Sequence, residues 1–217
     1  MFTPTKTISL NSGKIFKAKY TFKRIADYII ALALAIVLAP IMIAVAIAIK
    51  LDSSGPIFFK QTRVGLNGKH FKVWKFRSMV SNSEELLKQL EDKNEIKGGI
   101  VFKIKKDPRV TKVGKILREY SIDEIPQLFN VLLGDMSLIG PRPLPLRDIQ
   151  KMDIRYNIRH ELLPGITGLT QVSGRSNCSS DEFFQWDELY VKQWSLRLDL
   201  KILLKTVPAV IVKSGAC

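Results

Sequence analysis

The chain has 217 residues, with 34 lysines and arginines against 20 aspartates and glutamates, which gives a formal net charge of +14. This length suits one domain, or one domain plus a membrane element, and the charge favours nucleic acid, an anionic bilayer surface or phosphorylated small molecules as partners. The only cysteines, Cys178 and Cys217, form no C-x-x-C pair and have no histidine at metal-ligand spacing, which argues against a disulfide framework and a zinc site.

A membrane helix is predicted for residues 23–51, after a basic N-terminal segment of residues 1–22. Residues 28–49 carry no charged side chain and, at about 1.5 Å per residue, are long enough to cross a hydrocarbon core of ~30 Å. An extended polar and basic stretch precedes this run, so it is not a cleavable signal. Pro40 lies near its middle, where it is expected to kink or break the helix.

Two topologies are consistent with this segment. Lysines and arginines flank it on both sides, so the positive-inside rule gives no preferred orientation and both flanks favour the cytoplasmic face. A re-entrant helix that breaks at Pro40 and returns satisfies both flanks. An ordinary kinked transmembrane helix is the alternative, and composition alone does not choose between the two.

Residues 52–217 are predicted to form a compact, helix-rich body of the α+β class. Two runs rich in β-branched and aromatic residues, 57–63 and 70–77, flank an Asn-Gly turn signal and indicate a short β-hairpin. The last predicted helix mixes basic and aliphatic residues, an amphipathic pattern typical of a membrane interface. Helices are predicted over residues 84–95, 113–120, 125–133, 146–161, 181–193 and 196–212, with proline-marked loops at 139–143 and 164–168.

The segment Ser-Ile-Asp-Glu-Ile-Pro at residues 121–126 is the strongest indication of chemistry. It places the carboxylates of Asp123 and Glu124 side by side at the predicted start of a helix, in a protein that is otherwise strongly basic. This arrangement suits an enzyme that binds a polyanion, holds a divalent cation and presents a carboxylate nucleophile. The alternative is structural, because Ser121 and Glu124 also have the spacing of a capping box.

Three cationic residues are candidates for binding phosphate near this pair. Arg118 lies about one helical turn before it, and Arg142 lies in a proline-bounded loop. Arginine offers planar, bidentate donors to phosphate oxygens, although either residue could instead be the ion-pair partner of a nearby carboxylate. Lys75 is a further candidate, with a solvated or lipid-facing lysine as the alternative.

Several motifs in register make the chain similar to the bacterial sugar transferase family, the monotopic phosphoglycosyl transferases that start glycoconjugate synthesis on a polyprenyl phosphate. The resemblance covers nearly everything from residue 23 onward. The matching motifs are GPIFFKQ at 55–61, KFRSM at 75–79, FKIKKDPR at 102–109, residues 121–130, 134–143 and 164–175, and the segment from Trp194 to Leu203.

The resemblance implies a role for each carboxylate. Asp123 would attack the β-phosphorus of a nucleotide sugar, release uridine monophosphate (UMP) and carry the phosphosugar as a covalent aspartyl intermediate. Glu124 would hold Mg²⁺, the implied cofactor, whose preference for oxygen ligands fits a carboxylate and a diphosphate. The same resemblance makes residues 52–217 a catalytic domain.

The resemblance also implies substrate-binding residues. Lys75 matches an active-site lysine, and Arg118 and Arg142 would contact phosphate oxygens. Residues 164–175, which end at Arg175, would form a wall of the sugar-nucleotide pocket. Asp187, on a predicted helix, is a substrate-binding candidate on the same evidence. An aromatic stripe on that helix is nevertheless more often packing than a binding platform.

The implied partners are a UDP-sugar, undecaprenyl phosphate and the lipid bilayer at the cytoplasmic face of the bacterial inner membrane. A homodimer and contacts with downstream glycosyltransferases are compatible with the resemblance, nucleic acid is not an expected partner, and the sugar stays open. Ala39 replaces a serine that relatives often place before the membrane proline, and the short region before residue 23 predicts the minimal catalytic form. The rival interpretations are a membrane-anchored module that binds anionic lipid or nucleic acid, and a non-catalytic scaffold.

Overall fold

The computed structural model of the protein describes residues 13–90, 104, 107–173 and 180–211. Within these residues, four strands form two two-stranded sheets and helices make up most of the fold, which confirms a helix-rich member of the α+β class. In chain order the elements are α1 (Lys14–Asp52), β1 (Phe58–Val64), a 3₁₀ turn (Leu66–Gly68), β2 (His70–Phe76), α2 (Ser83–Leu90), α3 (Lys112–Glu119), a 3₁₀ turn (Ile122–Glu124), α4 (Gln127–Leu132), β3 (Ser137–Ile139), α5 (Leu146–Gln150), a 3₁₀ segment (Ile154–Glu161), β4 (Gly165–Thr167), α6 (Leu169–Ser173), α7 (Ser180–Gln193) and α8 (Leu196–Ile211).

The N-terminal helix α1 is longer than the sequence predicts. It begins at Lys14 instead of residue 23, and Pro40 lies inside it without ending it, so the predicted break is corrected to a proline within a continuous helix. A proline removes one backbone N–H donor. The helix on both sides of Pro40 keeps its other backbone hydrogen bonds. Among the described residues, this is the one helix long and apolar enough to cross a membrane.

One face of α1 packs on the rest of the protein from end to end. Near its start, the rings of Phe16 and Tyr20 lie edge-on to Trp194, with centroids 5.0 and 5.3 Å away. Ala31 at its centre is buried in the core with α4, and Ile49 near its end is buried in a second apolar cluster. Both ends of α1 therefore contact the same body.

The opposite face of α1 is exposed and apolar. A contiguous apolar surface of this size marks a contact with a membrane or another protein. α8 adds further exposed aliphatic side chains to the surface of the protein. The large apolar residues with more than half of their surface exposed are Ile15, Phe22, Ile25, Ile29, Leu32, Ile36, Val37, Ile43, Ile47 and Leu51 in α1, and Leu200, Leu204 and Val207 in α8.

The C-terminal end of α1 is fastened to the two elements that approach it. Arg77 donates hydrogen bonds to the carbonyl oxygens of Ser53, at 2.7 Å, and of Ser54, which is favourable because a helix C-terminus attracts cations. Asp52 accepts a hydrogen bond of 3.2 Å from the backbone N–H of Val113, in the first turn of α3. The position of α1 is thus linked to the end of β2 and the start of α3.

The predicted hairpin is confirmed. β1 and β2 pair in antiparallel fashion, with Phe58 opposite Phe76 and Val64 opposite His70. The connecting turn places Asn67 at a φ of 53°, a left-handed conformation that asparagine adopts more readily than most residues. β2 carries Lys75, one of the residues predicted to bind phosphate.

A small parallel sheet replaces one of the two predicted loops. At 164–168, β4 pairs with β3, with Ile139 opposite Thr167, whereas at 139–143 only Ile139 belongs to a strand and residues 140–143 form the predicted loop. The two segments approach so closely that a Cβ on Gly165 would overlap the backbone of the neighbouring segment of the same chain. Because the pairing joins three-residue strands that are distant in sequence, no local pattern predicts it.

The helix predicted over residues 146–161 is also corrected. α5 ends at Gln150, and a 3₁₀ segment begins at Ile154. Between them, the Asp153 side chain accepts a hydrogen bond of 3.0 Å from the backbone N–H of Arg155. A short polar side chain that bonds its neighbouring backbone in this way starts a new segment instead of continuing a helix.

Candidate active site

The two adjacent carboxylates lie in a 3₁₀ turn just before α4. Ser121 precedes them in a left-handed conformation, with φ 56° and ψ 22°, and its side chain makes no capping hydrogen bond. The capping-box alternative is therefore wrong, because it requires an extended Ncap residue whose hydroxyl binds the backbone. The turn frees both carboxylates from a capping role and directs them to different partners.

Asp123 is buried but receives little stabilisation from its neighbours. Its relative exposure is 7%, and no described residue donates a hydrogen bond to its carboxylate. Its closest cation is Lys75, whose Nζ lies 3.9 Å from Oδ2. Burial raises the pKa of Asp123 and the charge of Glu124 adds to this effect, whereas Lys75, Arg118 and Arg142 oppose it. The carboxylate therefore lacks the hydrogen bonds that would lower its reactivity.

Glu124 has the opposite environment. Its Oε1 accepts a hydrogen bond of 2.6 Å from Lys75 Nζ and one of 2.8 Å from Arg142 Nη2. Burial opposes ionisation of this side chain, but the charges of Arg142 and Lys75 outweigh it and hold the pKa of Glu124 well below its usual range. The solvated alternative for Lys75 is thus wrong, and Arg142 has the ion-pair partner that the sequence allowed.

Arg118 approaches the same carboxylates from α3. Its Nε donates a hydrogen bond of 2.9 Å to Ser78 Oγ, and no carboxylate of the described residues forms an ion pair with it. Burial lowers the pKa of Arg118, and the charge of Asp123 opposes this shift. Gly114 lies so close to the backbone of Ser78 that a Cβ there would overlap it. This close contact sets the position of Arg118.

Asp187 does not line the site but supports it from behind. It forms an ion pair of 2.6 Å with Arg159, and both side chains are only 2% exposed. Its other oxygen accepts a hydrogen bond of 2.7 Å from Thr170 Oγ1. The same Arg159 nitrogen, Nη2, donates to the carbonyl oxygen of Arg142. Asp187 was predicted to contact the substrate, whereas the structure places it where it orients the backbone of Arg142.

Three of the supporting residues have no counterpart in the sequence-based prediction. Ser78, Arg159 and Thr170 hold functional side chains in place, yet each is far along the chain from the residue it supports. No spacing rule relates such partners. The remaining predicted contact, Arg175, lies outside the described residues, as do residues 102, 103, 105 and 106 of one family motif.

The donor atoms of the site are suited to Mg²⁺. The described residues contain no group of three or more histidine, cysteine, aspartate or glutamate side chains that would form a complete protein cage for a metal. Mg²⁺ is usually held by one or two carboxylates together with substrate phosphates and water. Oε2 of Glu124 and the carboxylate of Asp123 receive no hydrogen bonds from the described residues, so they are the oxygens that would hold this ion.

The sequence profile described as bacterial sugar transferase matches residues 18–213. The chain belongs to the bacterial sugar transferase family. This match includes all the described site residues and both membrane-facing helices. The family assignment therefore covers the whole of the arrangement built above, from the apolar helix α1 to α8.

Curated relatives within the family carry names that refer to undecaprenyl phosphate. The undecaprenyl-phosphate galactose phosphotransferase of Salmonella typhimurium is 43% identical over 199 residues, which are 89% of this chain and 41% of the relative. The UDP-glucose:undecaprenyl-phosphate glucose-1-phosphate transferase of Klebsiella pneumoniae is 42% identical over 194 residues, 86% of this chain and 39% of the relative. The chain thus spans about two fifths of the length of these two relatives.

A third relative has a length similar to that of the chain. The exopolysaccharide production protein ExoY of Sinorhizobium fredii is 39% identical over 197 residues, which are 89% of this chain and 87% of the relative. The names of the three relatives differ in the sugar or the process that they mention. Similarity at this level therefore does not select a particular sugar.

Proposed function

We propose that the protein transfers a sugar 1-phosphate from a UDP-sugar to undecaprenyl phosphate and so starts the synthesis of an exopolysaccharide, capsule, O-antigen or glycoprotein glycan. The observation that carries this proposal is the contrast between two neighbouring carboxylates. Glu124 is held by two cations, whereas Asp123 is buried and receives no hydrogen bond from the described part of the chain. A buried carboxylate that is not stabilised by donors is suited to act as a nucleophile.

In the first step, an Asp123 oxygen attacks the β-phosphorus of the UDP-sugar. A bond forms between Asp123 Oδ and phosphorus, and the bond from phosphorus to the bridging oxygen breaks, so that UMP leaves with that oxygen. Arg118 presents its terminal nitrogens to the phosphate oxygens on which charge accumulates. Positioned cationic donors of this kind stabilise a transition state without having to reorganise.

In the second step, a phosphate oxygen of undecaprenyl phosphate attacks the same phosphorus. The bond between phosphorus and Asp123 Oδ breaks, the polyprenyl diphosphosugar leaves and the carboxylate is regenerated. Lys75 lies near both carboxylates and opposes the rise in the pKa of Asp123, which favours the ionised carboxylate before the first step and after each turnover. Two displacements at one phosphorus replace a single reaction between two polyanions.

Glu124 and Asp123 are the residues that would hold Mg²⁺ in this scheme. When bound, the ion neutralises the diphosphate and makes UMP a better leaving group. Lys75 and Arg142 fix Oε1 of Glu124, which leaves the orientation of its other oxygen defined. Arg142 has a second task, because its guanidinium reduces the repulsion between the carboxylates and the incoming diphosphate.

The exposed face of α1 supports a location at the inner membrane, with the catalytic body on its cytoplasmic face. Both ends of α1 contact that body, whereas a helix that crosses a bilayer carries its ends to opposite sides of ~30 Å of hydrocarbon. A helix that enters and leaves the bilayer on the same side keeps both of its ends next to the body. We expect tags at the two chain termini to report the cytoplasmic side, and a periplasmic N-terminus would contradict re-entry.

UMP release tests the proposed reaction. The protein is held in lipid nanodiscs and supplied with undecaprenyl phosphate, Mg²⁺ and a panel of UDP-sugars. We expect release that requires the protein, the metal and one of the sugars, and that is lost in Asp123→Asn. A folded protein that releases no UMP with any sugar would favour a non-catalytic scaffold or an anionic lipid-binding module instead.

A further inference from the structure

A buried cluster of charged side chains joins α1 to α8. Lys23 Nζ lies 2.8 Å from Asp199 Oδ2 and 3.6 Å from Asp27 Oδ1. These three side chains are only 5%, 9% and 6% exposed. Arg24 lies 3.4 Å from Asp27 Oδ2 and donates a hydrogen bond of 2.9 Å to the carbonyl oxygen of Met136. The proposed chemistry uses none of these residues.

Two hydroxyl groups connect this cluster to the end of β3. Ser137 Oγ lies 2.7 Å from Asp27 Oδ2 and 2.9 Å from the carbonyl oxygen of Ile139. Tyr190 OH lies 2.8 Å from Asp199 Oδ1 and 3.0 Å from the same carbonyl oxygen. Each hydroxyl has one proton to donate, and a bond to an ionised acceptor is the stronger one. Both hydroxyls therefore donate to the carboxylates, which fix their orientation, and Ser137 Oγ in turn accepts a hydrogen bond of 3.2 Å from the backbone N–H of Ile139.

Ile139 is followed directly by the loop that carries Arg142. The loop is tethered to β4 by two hydrogen bonds of 2.9 Å, from Gly140 N to Thr167 O and from Gly165 N to Pro141 O. Between the buried cluster and Arg142 the chain therefore has little freedom. A displacement of Ile139 would be passed to the guanidinium that binds Glu124.

The cluster also lies where both membrane-facing segments begin. The uncharged run of α1 starts directly after Asp27, and most of the exposed leucines of α8 follow Asp199, beginning at Leu200. A charge cluster at this point fixes the two apolar segments relative to each other and to β3. The position of the membrane helices is thus linked to the geometry of the Arg142 loop.

We propose that Lys23, Asp27 and Asp199 form a positioning cluster that holds Arg142 in its productive place through the hydroxyls of Ser137 and Tyr190. The inference rests on the proposed function, because its readout is the transfer reaction. These residues act through Arg142 and contact neither substrate. They differ in this respect from Lys75 and Arg118, which face the carboxylates.

The test is a double-mutant cycle on UMP release in nanodiscs, with Asp199→Asn and Arg142→Lys made singly and together. Asp199→Asn is expected to lower kcat/KM by about tenfold or more, since small displacements of a positioning group are costly. In the Arg142→Lys background, the same change is expected to alter kcat/KM less than about twofold, because the residue that it positions has already been replaced. Glu188→Gln, on the exposed Lys192 ion pair of α7, is the matched control and should behave like the parent protein.

The cycle distinguishes positioning from loss of folded protein. A change that only reduces the folded fraction lowers the rate by the same factor in both backgrounds, so equal factors, or no loss in the parent background, would overturn the proposal. Failure of the parent protein itself to release UMP would instead contradict the proposed function. If Asp199→Asn does not fold, Tyr190→Phe replaces it in the same cycle; it keeps the ring and removes the hydroxyl, with an expected loss of roughly fivefold.

Discussion

The two sides of the active site are built in different ways. On one side, Arg142 is engaged by Glu124 through its side chain and by Arg159 through its carbonyl oxygen. On the other side, Arg118 is attached by one hydrogen bond from Nε to Ser78. The Arg142 side is closed by partners within the protein, whereas the terminal nitrogens of Arg118 have no carboxylate partner among the described residues.

This difference separates two tasks that one arginine performs badly. A guanidinium that neutralises a buried glutamate has fewer donors left for a substrate, and one that is kept for substrate adds an uncompensated charge to the interior. We expect loss of the Arg159–Asp187 pair behind Arg142 to act first on stability and changes around Arg118 to act first on the rate. The predictions below test that separation in order of decreasing effect.

Asp187→Asn is expected to cause the largest loss of stability. It leaves the positive charge of Arg159 buried without a counter-charge, and removal of one partner from such a pair costs about 3–5 kcal/mol. The melting temperature of the purified protein measures this loss. Asp181→Asn, an exposed change on the same helix whose ion pair with Arg155 lies at the surface, is the control and should change stability little. Equal losses of stability in the two variants would contradict the claim that the Arg142 side is closed by partners within the protein.

Arg118→Met is expected to lower kcat/KM for UMP release by about 10²–10³-fold, the range seen when one positioned donor is removed from a transition state. The melting temperature should stay close to that of the parent protein, since Arg118 forms no ion pair among the described residues. Lys115→Met removes an exposed charge from the same helix and should leave the rate unchanged. A large fall in stability with an unchanged rate would reverse the assignment of the two sides.

Ser78→Ala is expected to have a smaller effect of the same kind. The change removes the acceptor of the Arg118 Nε hydrogen bond, and bonds of this strength correspond to roughly tenfold in rate. Steady-state kinetics should show the loss in kcat/KM, and Arg118→Met combined with Ser78→Ala should show no further loss. A full additional loss in the double variant would mean that Ser78 does not act through Arg118.

The pH dependence sharpens the contrast between the carboxylates. Burial raises the pKa of Asp123, and the nucleophile must be ionised to react. As the pH is lowered, kcat/KM is therefore expected to begin to fall at a higher pH than it would for an aspartate with an ordinary pKa. Lys75 lowers this pKa, so Lys75→Met should move the acid limb of the profile to higher pH. If the acid limb of the Lys75→Met profile stays in place or moves to lower pH, Lys75 does not lower the pKa of Asp123.

Local sequence signals predicted the elements that local forces form. The Asn-Gly turn between β-branched runs predicted the hairpin, and the helices predicted over residues 113–120 and 125–133 correspond to α3 and α4 on either side of the 3₁₀ turn. α7 and α8 begin within one residue of their predicted positions. In each case the determining contacts lie within a few residues along the chain.

Long-range contacts account for what was missed. β3 and β4 are three-residue strands joined across a wide separation in sequence, and their flanking prolines indicated loops. The ion pair of Asp187 with Arg159 and the cluster around Lys23 likewise depend on tertiary packing. Of the site, the resemblance identified Asp123, Glu124 and the cations around them, but not which of these are paired and which are left open.

The central claim is that Asp123 carries the phosphosugar between the two displacements. Intact-protein mass spectrometry after incubation with UDP-sugar and Mg²⁺, in the absence of undecaprenyl phosphate, tests it most directly. The account predicts a mass increase equal to one sugar phosphate, located on Asp123, absent from Asp123→Asn and removed when undecaprenyl phosphate is added. An enzyme that releases UMP only when the lipid is present, and never gains this mass, would contradict the covalent mechanism.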